Sequence, residues 1–289
     1  MTTDETSVEP QVVGDALDRI QSAATVLGVP AETTETAVAV FRRHRDQRAV
    51  HAHDVETTAA ACLYVACKVE RVPRTVGEFV DATDVDRTQL LRRAKEVTSE
   101  LGIDLSGFAD ASQYVDRYAD DLGLPEGIAD RAREIVDHCE DAGIAGGKSP
   151  SGWAAAAIYN ACVEADMDVR QDTLTELADV THVTIRNRYK EQREVLRERN
   201  PPPATAAAAV DWYCEYLPAS EYVADTAREL LTAAADYRPV DDEPAAWAAA
   251  ALRVAGERAG APIGMKALKT PSGCSSSAIH ERASDLEAL

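Results

Sequence analysis

The residues of this 289-residue chain best suited to chemistry lie between Gly147 and Arg199, and that chemistry is the gripping of a polyanion. A helix starting after Thr181 would carry Val183, Arg186, Lys190, Arg193 and Arg197 on one stripe, at spacings of three and four. The stripe is cationic from Arg186 onward. Its first positions are small or β-branched. Arginine can grip a guanine edge with two hydrogen bonds, and valine or threonine can touch a thymine methyl. Lys148 precedes Ser149-Pro150, a plausible N-cap followed by a proline in the first helical position. A lysine beside a helix N-terminus suits a phosphate. The same patterns also suit a solvated basic face of a helical bundle and a solvent-facing lysine.

Other chemistries find little support. No nucleophile–base pair, glycine loop for phosphates or metal-ligand cluster emerges, so no enzymatic activity, cofactor or metal is expected. His51 and His53 stand at i, i+2 without a third ligand nearby in sequence. The six cysteines form no Cys-x-x-Cys pair, and a zinc ribbon needs two. Cys62, Cys67 and Cys162 fall in apolar runs, where cysteine behaves as a small core residue.

Composition pulls against a nucleic-acid partner. Acidic residues number 50 against 30 basic ones, for a net charge of −20. The acids are dispersed along the chain, not blocked into a tail, and aromatics are few. An acidic, hydrated surface of this kind fits a salt-rich cytoplasm, where ions screen the repulsion. No signal peptide or long apolar run is present, so the expectation is a soluble cytoplasmic protein.

The elements that must position the cations are read from the same region. Thr173 with Glu176 predicts a capping box for a short helix. A tight turn follows, and Thr181 predicts the cap of the next helix. On that second helix Ile185, Tyr189, Gln192 and Leu196 form a core-facing stripe. Helix, turn and helix make a helix-turn-helix, whose second helix reads base edges with its N-terminal residues. An alanine-packed helix, 153–162, precedes it and should be central and buried, since small side chains let neighbours approach.

The chain also repeats itself. Leu27-Gly-Val-Pro30 returns as Leu122-Gly-Leu-Pro125, and Leu63-Tyr-Val-Ala-Cys67 as Ile158-Tyr-Asn-Ala-Cys162, both displaced by 95. Trp247-Ala-Ala-Ala-Ala-Leu252 repeats Trp153-Ala-Ala-Ala-Ala-Ile158 at a displacement of 94. The period is that of a domain. It predicts a polar tail over 1–13 and units over 14–106, 107–200 and 201–289, the second beginning near Phe108. Pro201-Pro-Pro203 divides the last two. The third unit is degenerate: Asp241-Asp-Glu-Pro244 replaces Gly147-Lys-Ser-Pro150, and only Arg282 stands where Arg188 does.

Gly147-Lys-Ser-Pro150, Ala154-Ala-Ala-Ala-Ile-Tyr159 and Val183-Thr-Ile-Arg-Asn-Arg-Tyr-Lys190 together resemble the second repeat of archaeal transcription factor B, the counterpart of eukaryotic TFIIB. Ala66-Cys-Lys-Val-Glu-Arg-Val-Pro-Arg-Thr75 resembles its first repeat. The resemblance covers roughly residues 15–196. It implies an all-α fold of tandem cyclin-like five-helix domains, with the 201–289 unit as a degenerate third. It implies a DNA- and protein-binding factor, with TATA-binding protein on promoter DNA as partner and the element upstream of the TATA box as target. Carried over to this chain, base or near-base contacts fall to Val183, Thr184, Arg186 and Asn187. Phosphate contacts fall to Lys148, Arg188 and Lys190, and weaker ones in the first unit to Arg74 and Arg93. In the first unit, 76–101 corresponds to the helix-turn-helix, with Arg87, Arg92 and Lys95 also basic. The family's basic loop before the central helix is replaced there by His51-Ala-His53-Asp54. Members usually begin with a zinc ribbon that engages RNA polymerase, and this sequence has none, which leaves a ribbon-less factor as the expectation. Two rivals follow: a regulatory paralogue that occupies TATA-binding protein without bringing polymerase, and a cyclin-type protein scaffold that never touches DNA.

Overall fold

A computed structural model describes residues 5–104 and 110–289, with side chains from residue 11 onward. The expected start of the second unit near Phe108 lies outside the described residues. Within them the chain is all helix. Fifteen α-helices and one short 3-10 turn, Ala52–Asp54, succeed one another without a strand. They fall into three sets of five. The first is α1 (Glu5–Leu27), α2 (Ala31–Gln47), α3 (Val55–Val69), α4 (Val76–Thr83) and α5 (Arg87–Leu101). The second is α6 (Ala111–Asp121), α7 (Glu126–Asp141), α8 (Pro150–Glu164), α9 (Gln171–Ala178) and α10 (His182–Arg199). The third is α11 (Ala206–Cys214), α12 (Glu221–Ala235), α13 (Pro244–Arg258), α14 (Met265–Ser272) and α15 (Ser276–Glu287).

Each set is built on its alanine-rich third helix. α3 packs against α1, α2, α4 and α5, and α13 against α11, α12, α14 and α15. Every residue of α8 from Ser151 to Glu164 is buried. Alanine permits this because a helix with small side chains on all faces can be approached from all sides at close range. The Leu-Gly-x-Pro turns also follow from residue type. Gly28 and Gly123 both adopt left-handed φ, which glycine takes without a Cβ penalty, to end α1 and α6. Pro30 and Pro125 then stand at the N-caps of α2 and α7.

α1 opens at Glu5, inside the segment 1–13 read from sequence as a tail. The reason lies in the apolar spacing: Val12, Ala16, Ile20, Ala23, Ala24 and Leu27 continue one buried stripe backwards through Val12. The chain divides into two compact units, Met1–Arg117 and Tyr118–Leu289. The second unit holds the end of α6, from Tyr118, and all of α7 to α15, while the start of α6 belongs to the first. Among the described residues no helix is long and apolar enough to cross a membrane.

Candidate nucleic-acid interface

The pair α9 and α10 forms the helix-turn-helix, with one correction. The predicted capping box at Thr173 does not form. α9 starts at Gln171, with Arg170 at an N-cap that makes no side-chain hydrogen bond. Thr173 is thus already inside the first turn. The cap of α10 does form: the Thr184 N–H donates to Thr181 Oγ1 at 3.2 Å. Two small residues of α8 seat the motif. Ser151 Oγ donates to the Ala178 carbonyl at 2.9 Å, holding the end of α9. Gly152 leaves room for the turn, because a Cβ there would lie 3.1 Å from Val180 and 3.4 Å from Thr184.

The inward face of α10 is the predicted one. Ile185, Gln192 and Leu196 are buried. Gln192 accepts from Asn160 Nδ2 at 2.7 Å and donates to the Trp153 carbonyl at 3.0 Å, which bolts α10 to α8. Tyr189 meets Tyr159 edge-on, with ring centres 5.3 Å apart. Its hydroxyl lies 3.0 Å from that of Thr270 on α14.

The outward face divides in the middle. Val183 is 55% exposed, and Arg186, Asn187 and Lys190 are exposed. Neither Arg186 nor Lys190 has an ion-pair partner among the described residues. Thr184 is half-buried, its hydroxyl 3.0 Å from that of Thr181. Beyond Lys190 the predicted cationic stripe turns inward. Arg193 is buried; Nη1 pairs with the buried Glu164 carboxylate and Nη2 donates to the Thr270 carbonyl at 2.7 Å. Arg131 Nε donates to the other oxygen of Glu164 at 2.7 Å. Arg197 is half-buried, with its guanidinium against Gly273. The cause is α14, which covers the second half of α10 and belongs to a set whose docking no stripe on α10 could announce.

Lys148 and Arg188 converge although 40 residues separate them. Both donate to Glu191: Lys148 Nζ at 2.8 Å, and Arg188 Nη1 at 2.8 Å to each oxygen. Both stand over the ring of buried Trp153, at 4.8 and 5.9 Å from its centre. Burial pushes the Glu191 carboxyl upward, but the hydrogen bonds from Lys148 and Arg188 prevail and hold it below the usual carboxylate range. Sequence reading missed Glu191 as a participant. Its only local trace is the i, i+3 spacing from Arg188.

The first set engages its two candidate cations internally. Arg74 donates to the carbonyls of Leu27 at 2.6 Å and Gly28 at 3.2 Å, and so caps α1. Arg93 pairs with Asp54 at 3.0 Å and Glu96 at 3.4 Å. Lys95 and Arg87 are exposed, and Arg92 reaches Glu96 at 4.0 Å. A capping box that sequence reading overlooked does occur here, between Thr75 and Glu78. The rings of His51 and His53 are stacked 5.6 Å apart, and no group of three potential metal ligands occurs among the described residues. Cys62, Cys67 and Cys139 are buried, and burial pushes their thiols to about 12, which keeps them unreactive.

The chain matches the transcription factor TFIIB repeat at residues 10–100 and again at 106–195. It is 39% identical over 181 residues to transcription initiation factor IIB 3 of Halobacterium salinarum, covering 63% of this chain and 57% of that protein. It is 36% identical over 180 residues to transcription initiation factor IIB 2 of Haloferax volcanii, covering 62% and 54%. With transcription initiation factor IIB of Archaeoglobus fulgidus it shares 36% identity over 181 residues, covering 63% and 55%. The chain thus spans a little over half the length of these relatives. The third helix set lies beyond both matched segments.

Proposed function

The chain belongs to the transcription factor TFIIB repeat family, and from that premise we propose that it acts as an initiation factor B. In this reading it binds TATA-binding protein on promoter DNA and reads the element upstream of the TATA box with α10. The supporting observation is the front half of α10. Val183, Arg186, Asn187 and Lys190 are exposed together, and the two cations are unpaired among the described residues. A helix N-terminal half presenting such donors and small apolar groups is what enters a major groove. Arg186 and Asn187 would read base edges, and Val183 and Thr184 would meet methyl groups. Lys148, Arg188 and Lys190 would take phosphates. Arg74 and Arg93 are left with secondary contacts, because each already serves a carbonyl or carboxylate of the first set.

The 201–289 segment fits the reading as a third, degenerate repeat. Arg282 stands 94 positions after Arg188 and lies over Trp247 at 5.8 Å, as Arg188 lies over Trp153. The acids Asp241, Asp242 and Glu243 would repel phosphate there.

The test is a gel shift of the full chain in multimolar KCl with TATA-binding protein, on promoter and scrambled duplexes. A complex on the promoter that weakens when the upstream element is changed supports the reading. An unshifted complex of TATA-binding protein and promoter refutes it.

A further inference from the structure

Lys148, Arg188 and Trp153 make a preformed seat for one anion. Two cations from different parts of the fold point at the same carboxylate, and an aromatic face forms the floor. Glu191 fills that seat from the helix that would lie in the groove. Its side chain is about one-third exposed (34%), and those of Lys148 and Arg188 are 23% and 24% exposed, so all three charged groups reach solvent. A carboxylate accepting charge-assisted hydrogen bonds from a lysine and an arginine stands in for a phosphodiester, which offers the same cations two anionic oxygens.

The third set provides an independent comparison. Arg282 lies over Trp247 and pairs with Glu243, the residue just before α13. A cation over the tryptophan of the central helix, closed by an internal carboxylate, therefore occurs twice. The position 94 after Lys148 is Asp242, so the third set has an acid in sequence where the second has its lysine. Of the two, only the second brings two cations onto its carboxylate.

We propose that Glu191 is an internal phosphate mimic: it closes the Lys148–Arg188 seat in the free protein and yields it to a backbone phosphate of DNA. This rests on the DNA-binding reading and adds an exchange step to it. Binding swaps one anion for another, and the freed carboxylate draws a cation from solution. The exchange restrains binding to arbitrary DNA, because the seat opens only where the rest of α10 fits.

The experiment compares the full chain with Glu191→Gln and with Lys148→Met/Glu191→Gln. Scrambled-duplex affinity is measured by anisotropy across a KCl series. Thermal midpoints are measured with inorganic phosphate against chloride at equal ionic strength. Glu191→Gln is expected to bind scrambled duplex several-fold more tightly, with a salt slope steeper by ~0.9, the equivalent of about one more phosphate. Phosphate should raise its thermal midpoint more than that of the wild type. Lys148→Met should cancel both gains. If the wild type and Glu191→Gln both fail to bind duplex while phosphate still stabilises Glu191→Gln alone, the DNA reading falls and the seat stands. If Glu191→Gln binds duplex with the wild-type affinity and slope and shows no added phosphate response, the mimic is refuted even though DNA binding persists.

Discussion

Arg186 and Arg193 lie on one stripe of α10, seven positions apart, and serve opposite purposes. Arg186 is exposed and has no carboxylate within pairing distance among the described residues. Arg193 is 3% exposed and shares the buried Glu164 with Arg131. Arg186→Ala should therefore leave stability within about 0.5 kcal/mol of wild type, as surface changes do. It should cost about 1–3 kcal/mol of binding on promoter DNA, the worth of a bidentate base contact, and clearly less on scrambled DNA. Anisotropy titrations on both duplexes decide this, and equal losses would reject a base-reading role. Glu164→Gln should behave in the reverse way. It leaves Arg193 charged in the interior with only neutral acceptors, the new amide oxygen and the Thr270 carbonyl, and stranding one member of a buried ion pair costs ~3–5 kcal/mol. Urea unfolding of the 118–289 unit should register the loss. A midpoint equal to wild type would show that the pair is not maintained in solution.

At the scale of elements, docking of α14 decides how much of α10 is available. α14 packs against both α8 and α10. Three of its contacts are specific. The Gly264 N–H donates to Asp166 at 2.8 Å, Thr270 meets Tyr189 and Arg193, and Gly273 lies against the Arg197 guanidinium. Gly273 has a φ of +77°, and a Cβ there would lie 2.9 Å from the carbon of that guanidinium. Gly273→Ala should accordingly lower the stability of this unit by at least ~1–2 kcal/mol, the ordinary penalty for a side chain in left-handed backbone. A thermal midpoint unchanged from wild type would contradict this account of the interface. The same interface marks what was legible from sequence. The two-faced pattern of α10, the Thr181 cap and the buried alanine helices depend on spacing within one element, and each could be read from it. Burial of Arg193, partial covering of Arg197 and convergence of Lys148 with Glu191 depend on partners 29 to 77 positions away. No local spacing encodes these. The start of α9 was misread because Thr173 and Glu176 satisfy a capping pattern that the helix, begun earlier at Gln171, has no need of.

Over the whole molecule the difficulty is charge: a chain of net −20 must approach a polyanion. Much of its basic charge is already neutralised internally. Arg74, Arg93, Arg131, Arg188, Arg193 and Arg282 each contact a carboxylate within the fold. The cations left to a duplex, in the reading proposed here, are Arg186 and Lys190, with Lys148 and Arg188 once Glu191 withdraws. If they simply displaced counterions at two phosphates, one at Lys190 and one shared by Lys148 and Arg188, the logarithm of affinity would fall with the logarithm of salt at a slope near about −1.8, at ~0.9 per phosphate. A shallower slope is expected. Glu191, displaced from its seat, and the acids that dominate the remaining surface take up cations as the DNA gives them up, so the two ion exchanges offset each other. Screening acts in the same direction, since concentrated salt weakens the long-range repulsion of the surface more than it weakens short contacts at α10. Anisotropy titrations of the full chain on promoter DNA, from moderate to multimolar KCl, measure the slope directly. A value at or steeper than about −1.8 would mean that the acidic surface takes no part in the ion exchange. The protein would then bind as an ordinary basic helix carried on an indifferent body.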